Sequence, residues 1–287
     1  MTARTERPAA SSGAAGHAPY TRDRRSRRTT YGTGVALFLS CVGGATGMFA
    51  QEPGTGSYAP GDAVPPAYRS SADSLASMKV RAEAAVARGL HVEVSLLDRM
   101  VWVIREGDTL VRAEAAVASG MTIEFAGRSW TFRTPRGRHS VLRKLEQPVW
   151  TPPDWLYAEA ALEHGLELEP LSPGANVPLR DGLHLVVREN RVGVLNDASG
   201  RVDLLPVDEH VVFDGTLYIP PVGTLNRMIQ GELGRYALDL GDGYLIHGTP
   251  DPSSIGRAVT HGCIRLGDRD ITWLYRHVPV GTPVYIY

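Results

Sequence analysis

The chain has 287 residues, of which 43% are hydrophobic and 21% charged, a composition ordinary for a soluble globular protein with a sizeable core. The net charge of −1 conceals an asymmetry, because residues 1–50 carry a net charge of +5 and leave −6 on the rest of the chain. An acidic body lacks the basic footprint of nucleic-acid-binding proteins. We therefore expect no nucleic-acid partner.

The N-terminal 50 residues have the pattern of an export signal. Residues 22–28 contain five arginines, and residues 34–49 form an uncharged, largely apolar run that is short for a membrane-spanning helix of about 20 residues. Residues 1–50 are predicted to be a tail and signal peptide, cleaved after Ala50. A retained membrane anchor is the alternative, and a cytosolic chain is the least favoured.

A linker and a helix follow this segment. Residues 51–69 contain four prolines and several glycines, a composition typical of a linker. Residues 71–88 are predicted to be helical, because apolar side chains recur there at helical spacing and Gly89 is placed to end the helix. The apolar positions are Leu75, Met78, Ala82 and Val86.

From Leu90 onward apolar residues alternate with their neighbours, a spacing of two that is typical of strands. Hairpin turns are predicted at Glu189-Asn190, at Asp214-Gly215 and at residues 241–243. Helical patterns are few and lie near residues 154–164 and 270–277. Residues 90–287 are therefore predicted to form one mainly β domain, an antiparallel sandwich or barrel with a few short helices.

Cysteine usage singles out one thiol. Of two cysteines, Cys41 lies in the N-terminal run, so cleavage there would leave Cys263 alone. A leftover cysteine in an exported protein indicates a reactive thiol or intermolecular pairing; a buried structural thiol is the alternative. His247 ends a predicted strand upstream and is a candidate general base, whose imidazolium would stabilise the thiolate.

The residues around the thiol are suited to acyl transfer. Gly262 allows a substrate to approach the backbone, and the N–H groups of Gly262 and Cys263 are candidate donors to an oxyanion. A zinc site formed by Cys263, His261 and His247 is conceivable, but no metal-ligand spacing supports it. We expect no metal and no organic cofactor.

Two segments together resemble a known signature. His247-Gly248-Thr249 and residues 258–266, which read Ala-Val-Thr-His-Gly-Cys-Ile-Arg-Leu, resemble the catalytic domain of L,D-transpeptidases of the YkuD type. That signature is a histidine, a loop, then Ser/Thr-His-Gly-Cys, a hydrophobic residue and Asn or Arg. Weaker likenesses at residues 94–103, 148–153 and 234–238 extend the resemblance over roughly residues 90–287.

The resemblance implies a function. Cys263 would attack the diaminopimelate carbonyl of a peptidoglycan stem tetrapeptide and release D-alanine, with His247 as base and then acid. A backbone carbonyl near Gly248 would orient the imidazole. An amine of another stem peptide would resolve the acyl-enzyme into a 3–3 cross-link, whereas a lysine of a wall-anchored protein would give tethering. The enzyme would act in the periplasm or cell wall, as a monomer.

The remaining candidate site residues have open roles. Gly248, Thr260, His261, Gly262 and Arg265 are predicted to form the oxyanion and substrate-binding part of the site. On a strand, His261 would share a face with Cys263 and either line the site or act on the substrate directly. Arg265 would bind a substrate carboxylate or form a structural ion pair. Trp150, Trp155 and Trp273 are core residues more often than glycan platforms.

Alternatives exist for the role of residues 154–210 and for the reaction itself. Residues 154–210 match no part of the family pattern clearly, and a lid or a partly disordered loop is expected there. Water as acceptor would make the protein an L,D-carboxypeptidase or a hydrolase of wall linkages. An inactive wall-binding module is a further alternative, although such a module would tolerate loss of His247 or Cys263, and both are present.

Overall fold

The computed structural model describes residues 70–287. The predicted signal or anchor in residues 1–50 and the predicted linker in residues 51–69 lie outside the described residues. Three α-helices are present, α1 (Ser71–Ala85), α2 (Asp154–His164) and α3 (Asp268–His277). None of the helices in residues 70–287 is long and apolar enough to span a membrane.

Strands make up most of the rest of the described chain. In chain order they are β1 (Leu90–Ser95), β2 (Met100–Arg105), β3 (Asp108–Ala118), β4 (Thr122–Phe125), β5 (Arg128–Thr131), β6 (Gly137–Ser140), β7 (Arg143–Glu146), β8 (Val149–Trp150), β9 (Glu167–Pro170), β10 (Asn176–Pro178), β11 (Leu183–Arg188), β12 (Arg191–Asn196), β13 (Arg201–Leu204), β14 (Val211–Phe213), β15 (Thr216–Ile219), β16 (Ile229–Gln230), β17 (Tyr236–Gly241), β18 (Tyr244–His247), β19 (Ala258–Thr260), β20 (Ile264–Leu266) and β21 (Pro283–Ile286).

The main sheet has the strand order β6-β21-β1-β2-β3-β20-β18-β17-β7, with β19 also paired to β3. Only Val141 and Leu142 separate β6 from β7, although these strands lie at opposite ends of that order. The two linking residues continue the hydrogen bonding at both ends of the sheet. The Val141 N–H donates to the Thr282 carbonyl next to β21, and the Leu142 N–H donates to the Asp239 carbonyl of β17. The sheet is therefore curled on itself, which confirms the predicted mainly β, barrel-like fold. It is a mixed sheet, since β1/β21, β18/β20 and β19/β3 are parallel pairs.

The core of this sheet is aliphatic and is covered by α3. Leu238, Ile246, Ile264 and Leu266 are fully buried and form one cluster with two residues of the helix, Ile271 and Leu274. These helix residues are three apart and share one face. Acidic residues in the first turn of α3 and basic residues in its last turn favour the helix dipole. Helix α3 thus packs against the core-facing side of β18 and β20, next to the predicted catalytic residues.

Helix α1 forms where it is predicted, but it packs through a different face. Val80 and Ala84 are its buried residues and contact Tyr285 of β21, whereas Leu75, Met78 and Val86 are 70%, 68% and 75% exposed. The apolar spacing identified the helix correctly without identifying its packed side. The side of α1 that packs on β21 carries the smaller residues Val80 and Ala84.

Residues 154–210 are structured and do not form a loop. Helix α2 spans Asp154–His164 and ends at Gly165 in a left-handed conformation, as predicted. The chain then builds a four-stranded sheet, β10-β11-β12-β13, and a three-stranded sheet, β14-β15-β9. One buried apolar cluster includes residues of both sheets, and a second packs α2 against the three-stranded sheet. The expectation of a partly disordered loop was therefore wrong, because this stretch buries enough side chains to order itself. The hairpin turns at Glu189-Asn190 and Asp214-Gly215 are confirmed.

Candidate active site

The parallel pairing of β18 and β20 brings the two predicted catalytic residues together. Ile246 pairs with Ile264 and His247 with Arg265, so Cys263, the residue before β20, lies beside Leu245. Alternate residues of a strand share a face. Ile246 and Ile264 are directed into the core, so His247 lies on the opposite face of β18, and Cys263, just before β20, is two residue pairs away along the strands.

The imidazole of His247 is held by a backbone carbonyl. Its Nδ1 lies 2.5 Å from the carbonyl oxygen of Gly248. A carbonyl oxygen only accepts hydrogen bonds, so Nδ1 carries the hydrogen of the neutral ring and Nε2 keeps a free lone pair. This contact matches the expectation that a carbonyl near Gly248 orients the ring. The side chain does not line an open cleft, because His247 is only 3% exposed.

Burial sets the protonation of this histidine. Burial and, to a smaller extent, the Arg265 guanidinium lower the pKa of His247 to about 4, against the opposing effect of hydrogen bonds to the Gly248 and Leu233 carbonyls. Burial disfavours the charged form of any group. His247 is therefore neutral at physiological pH and able to accept a proton.

Cys263 is a free, partly exposed thiol. Its Sγ lies 3.8 Å from the Gly243 carbonyl oxygen. Burial raises the pKa of the Cys263 thiol, while a hydrogen bond from the Leu245 backbone and the charge of Arg265 oppose that rise. Both shifts favour a neutral thiol beside a neutral imidazole. Both shifts therefore disfavour a thiolate–imidazolium pair at rest.

The turn before Cys263 is fixed by Thr260. Its hydroxyl donates to the Cys263 carbonyl at 2.6 Å and accepts from the Gly262 N–H at 3.4 Å. A Cβ on Gly262, whose φ is +152°, would lie 2.9 Å from the ring of Tyr244. Only glycine fits at this close approach, which is a packing reason for the glycine in addition to substrate access.

Gly248 is held by an equally close backbone approach. A Cβ on Gly234, whose φ is +65°, would lie 2.7 Å from Gly248 Cα. The Gly248 N–H also donates to the Tyr236 carbonyl at 3.1 Å. The segment at residues 233–236 thus fixes the peptide that orients His247.

His261 is directed towards α2. Its Nε2 lies 2.9 and 3.1 Å from the two carboxylate oxygens of Glu159. The Trp155 ring stacks on the imidazole at 4.0 Å between centroids, and the edge of Phe132 meets it at 4.4 Å. Residues 261–263 are not part of a strand, so the expected sharing of a strand face with Cys263 does not apply. Trp155 is thus a wall of the candidate site.

Arg265 forms an ion pair with Glu232, Nη2 to Oε1 at 3.5 Å, and both side chains are largely buried. Burial raises the pKa of Glu232, and the charge of Arg265 opposes that rise. The ion pair supports the structural alternative for this arginine. Its charge also lowers the pKa values of His247 and Cys263, so it favours a neutral imidazole and a deprotonated thiol.

Sequence reasoning missed Glu159 and Glu232. Glu159 lies in an alanine-rich helix and Glu232 in a loop, and neither belongs to a recognisable motif. Their relation to the site is a tertiary contact that no local pattern encodes. Among residues 70–287, no group of three or more His, Cys, Asp or Glu side chains is placed to hold a metal ion.

Comparisons with known proteins point to one family. The family model of the L,D-transpeptidase catalytic domain (YkuD) matches residues 89–286. The probable L,D-transpeptidase ErfK/SrfK of Salmonella typhimurium is 52% identical over 87 residues, a match covering 25% of this chain and 28% of that protein. The putative L,D-transpeptidase YkuD of Bacillus licheniformis is 53% identical over 57 residues, covering 20% and 34%. The chain thus spans about a third or less of these curated relatives.

Among solved structures, the chain is similar to an L,D-transpeptidase from Xylanimonas cellulosilytica. The two are 16% identical, the match covers 70% of this chain and 61% of the other, and the TM-score is 0.37.

The close approach of Gly234 to Gly248 gives a first prediction. Gly234→Ala should lower the free energy of unfolding by about 3 kcal/mol, from the left-handed backbone and the overlap with Gly248 together. Gly231→Ala is the matched control, because Gly231 also has a positive φ of +84° but no atom within 4 Å of its Cβ position. It should cost only about 1 kcal/mol. Urea denaturation measures both, and equal losses would show that the overlap does not exist.

Proposed function

The chain belongs to the L,D-transpeptidase family, and we propose that it is a peptidoglycan L,D-transpeptidase in which Cys263 is the nucleophile and His247 the general base and acid. The observation that carries this proposal is the pairing of β18 with β20. This pairing brings the thiol to within two residue pairs of a neutral imidazole whose hydrogen is on Nδ1. It supports the proposal because nucleophilic catalysis by cysteine needs a base near the thiol.

In the acylation step, Nε2 of His247 takes the proton of the Cys263 thiol as sulfur attacks the diaminopimelate carbonyl of a stem tetrapeptide. The resulting imidazolium then protonates the nitrogen of the terminal D-alanine, and the C–N bond breaks. The products are D-alanine and a thioester on Cys263. The Cys263 N–H is the better candidate donor to the oxyanion, because the Gly262 N–H is directed at the Thr260 hydroxyl.

In the second step, an amine attacks the thioester. His247 accepts a proton from that amine and returns it to the departing sulfur, so the thiol is regenerated and an amide is formed. A second stem peptide as acceptor gives a 3–3 cross-link, and a lysine of a wall-anchored protein gives tethering. These stem peptides and wall proteins are the proposed partners.

The reaction products test this proposal. The purified protein incubated with disaccharide-tetrapeptide should release D-alanine and form a cross-linked dimer, detected by mass spectrometry. Cys263→Ala should abolish both products, whereas Cys41→Ala, made in the uncleaved full chain, is the matched control and should leave them unchanged. His247→Ala should slow acylation by roughly 10²–10⁴-fold, the usual contribution of positioned proton transfer.

Each product has a distinct meaning in that experiment. Tripeptide without dimer would assign water as acceptor and identify a carboxypeptidase of the same fold. Dimer formation that survives Cys263→Ala would refute the covalent mechanism. Absence of any reaction in the wild-type protein would favour the inactive wall-binding alternative.

Export to the periplasm or cell wall is part of the same proposal, because peptidoglycan lies outside the cytoplasmic membrane. It is supported by the arginine-rich stretch and the apolar run of residues 34–49. N-terminal sequencing of fractionated cells should find a protein that begins near Gln51 outside the cytoplasm. A full-length membrane-bound protein would instead identify a retained anchor, and a full-length cytosolic protein would contradict the proposed substrate.

A further inference from the structure

We propose that Glu159 is a positioning residue of the active site, which acts through His261 to hold the turn that carries the nucleophile. The inference rests on the proposed function and deepens it. Its basis is a hydrogen bond between a helix outside the recognisable signature and the residue two positions before Cys263.

Two residues of α2, Glu159 and Trp155, contact the His261 imidazole. Both carboxylate oxygens lie within hydrogen-bond distance of His261 Nε2, at 2.9 and 3.1 Å. Trp155 is one helical turn before Glu159, and its ring stacks on the imidazole with an interplanar angle of 17°. Residues four apart share one face of a helix. One face of α2 therefore supplies both a hydrogen-bond acceptor and a flat surface for the same side chain.

The helix that presents these groups is itself fixed. Arg227 pairs with Asp154 at the first residue of α2, Nη2 to Oδ1 at 2.7 Å. The same guanidinium donates to the carbonyls of Pro152 and Pro220 at 3.0 Å each. Because the Arg227 side chain is only 8% exposed, this is a buried anchor whose donors are used. The N-terminal end of the helix that carries Glu159 is thus held by buried contacts.

The turn between β19 and β20 is held from two directions. On one side Thr260 donates to the Cys263 carbonyl at 2.6 Å. On the other side His261 is bound to Glu159 and contacts the rings of Trp155 and Phe132. A displacement of His261 would move Gly262 and Cys263, which follow it directly. A misplacement of about 1 Å at a reacting group costs roughly 100-fold in rate, so this support bears on catalysis.

The hydrogen bond between His261 and Glu159 also selects one tautomer of the His261 ring. A carboxylate accepts and does not donate, so the hydrogen of the neutral His261 ring lies on Nε2. His247 has the opposite arrangement, with its hydrogen on Nδ1 facing Gly248. The two histidines are therefore distinguishable by the ring nitrogen that is protonated, which gives a readout independent of activity.

The test compares Glu159→Ala with Glu163→Ala in the full chain. Glu163 is exposed on α2 one turn farther along, so it controls for loss of a carboxylate from the same helix. The probe is ertapenem, whose β-lactam ring is opened by the Cys263 thiol to give a thioester. Mass spectrometry measures the rate constant of acylation, long-range ¹H–¹⁵N spectra report the His261 tautomer, and thermal unfolding reports folding.

Glu159→Ala should slow acylation about 10- to 100-fold and lose the Nε2–H signature of His261, while Glu163→Ala changes neither. Glu159→Gln retains an acceptor oxygen, so it should restore the tautomer and most of the rate. Glu159→Leu, which has a side chain of similar size and no acceptor, replaces Glu159→Ala if that variant fails to fold. Equal rates for Glu159→Ala and Glu163→Ala, or a Gln variant as slow as the Ala variant, would overturn the inference alone. A wild-type protein that is not acylated at Cys263 would overturn the proposed function and this inference together.

Discussion

The geometry of the site depends on the parallel pairing of two short strands, β18 and β20, inside a sheet whose neighbouring pairs are antiparallel. Parallel neighbours cannot be joined by a tight turn and need a crossover connection. Here residues 248–263 form that connection, and they include β19, which pairs with β3 on the other side of β20. The separation of His247 and Cys263 in sequence and their proximity in space have this common cause.

The β18/β20 pairing is stabilised by aliphatic residues on its core-facing side, and the candidate site residues lie outside that core. Ile246 and Ile264 lie side by side in the core against α3, and a buried aliphatic side chain contributes about 1.5–3 kcal/mol. The opposite face carries His247 and Arg265, with Cys263 just before β20, and burial and the guanidinium charge together keep the imidazole neutral. The same charge opposes the rise in the pKa of Cys263. The fold thus sets the protonation states on which the proposed acyl transfer depends.

Much of this organisation was predictable from local patterns. Helix α2 and its end at Gly165 follow from apolar spacing and a left-handed glycine, and the hairpin turns follow from their turn residues. The signature around Cys263 identified the family. The packed face of α1 was not predictable, because Val80 and Ala84 are buried while Leu75 and Met78 are exposed. The partners of His261 and Arg265 were also missed, since Glu159 and Glu232 reach the site only after distant segments have packed together.

The proposed role of His247 requires a neutral imidazole whose proton lies on Nδ1 and whose charge state is set by burial and Arg265. The ¹⁵N resonances of this imidazole, followed from pH 3.5 to 8 in the wild-type protein and in Cys263→Ala, are the decisive measurement. We expect a neutral ring with hydrogen on Nδ1 at neutral pH and a midpoint of about 4, little changed by removal of the thiol. A ring protonated at pH 7 in the wild type, with a midpoint that falls when Cys263 is replaced, would contradict this role and establish a thiolate–imidazolium pair.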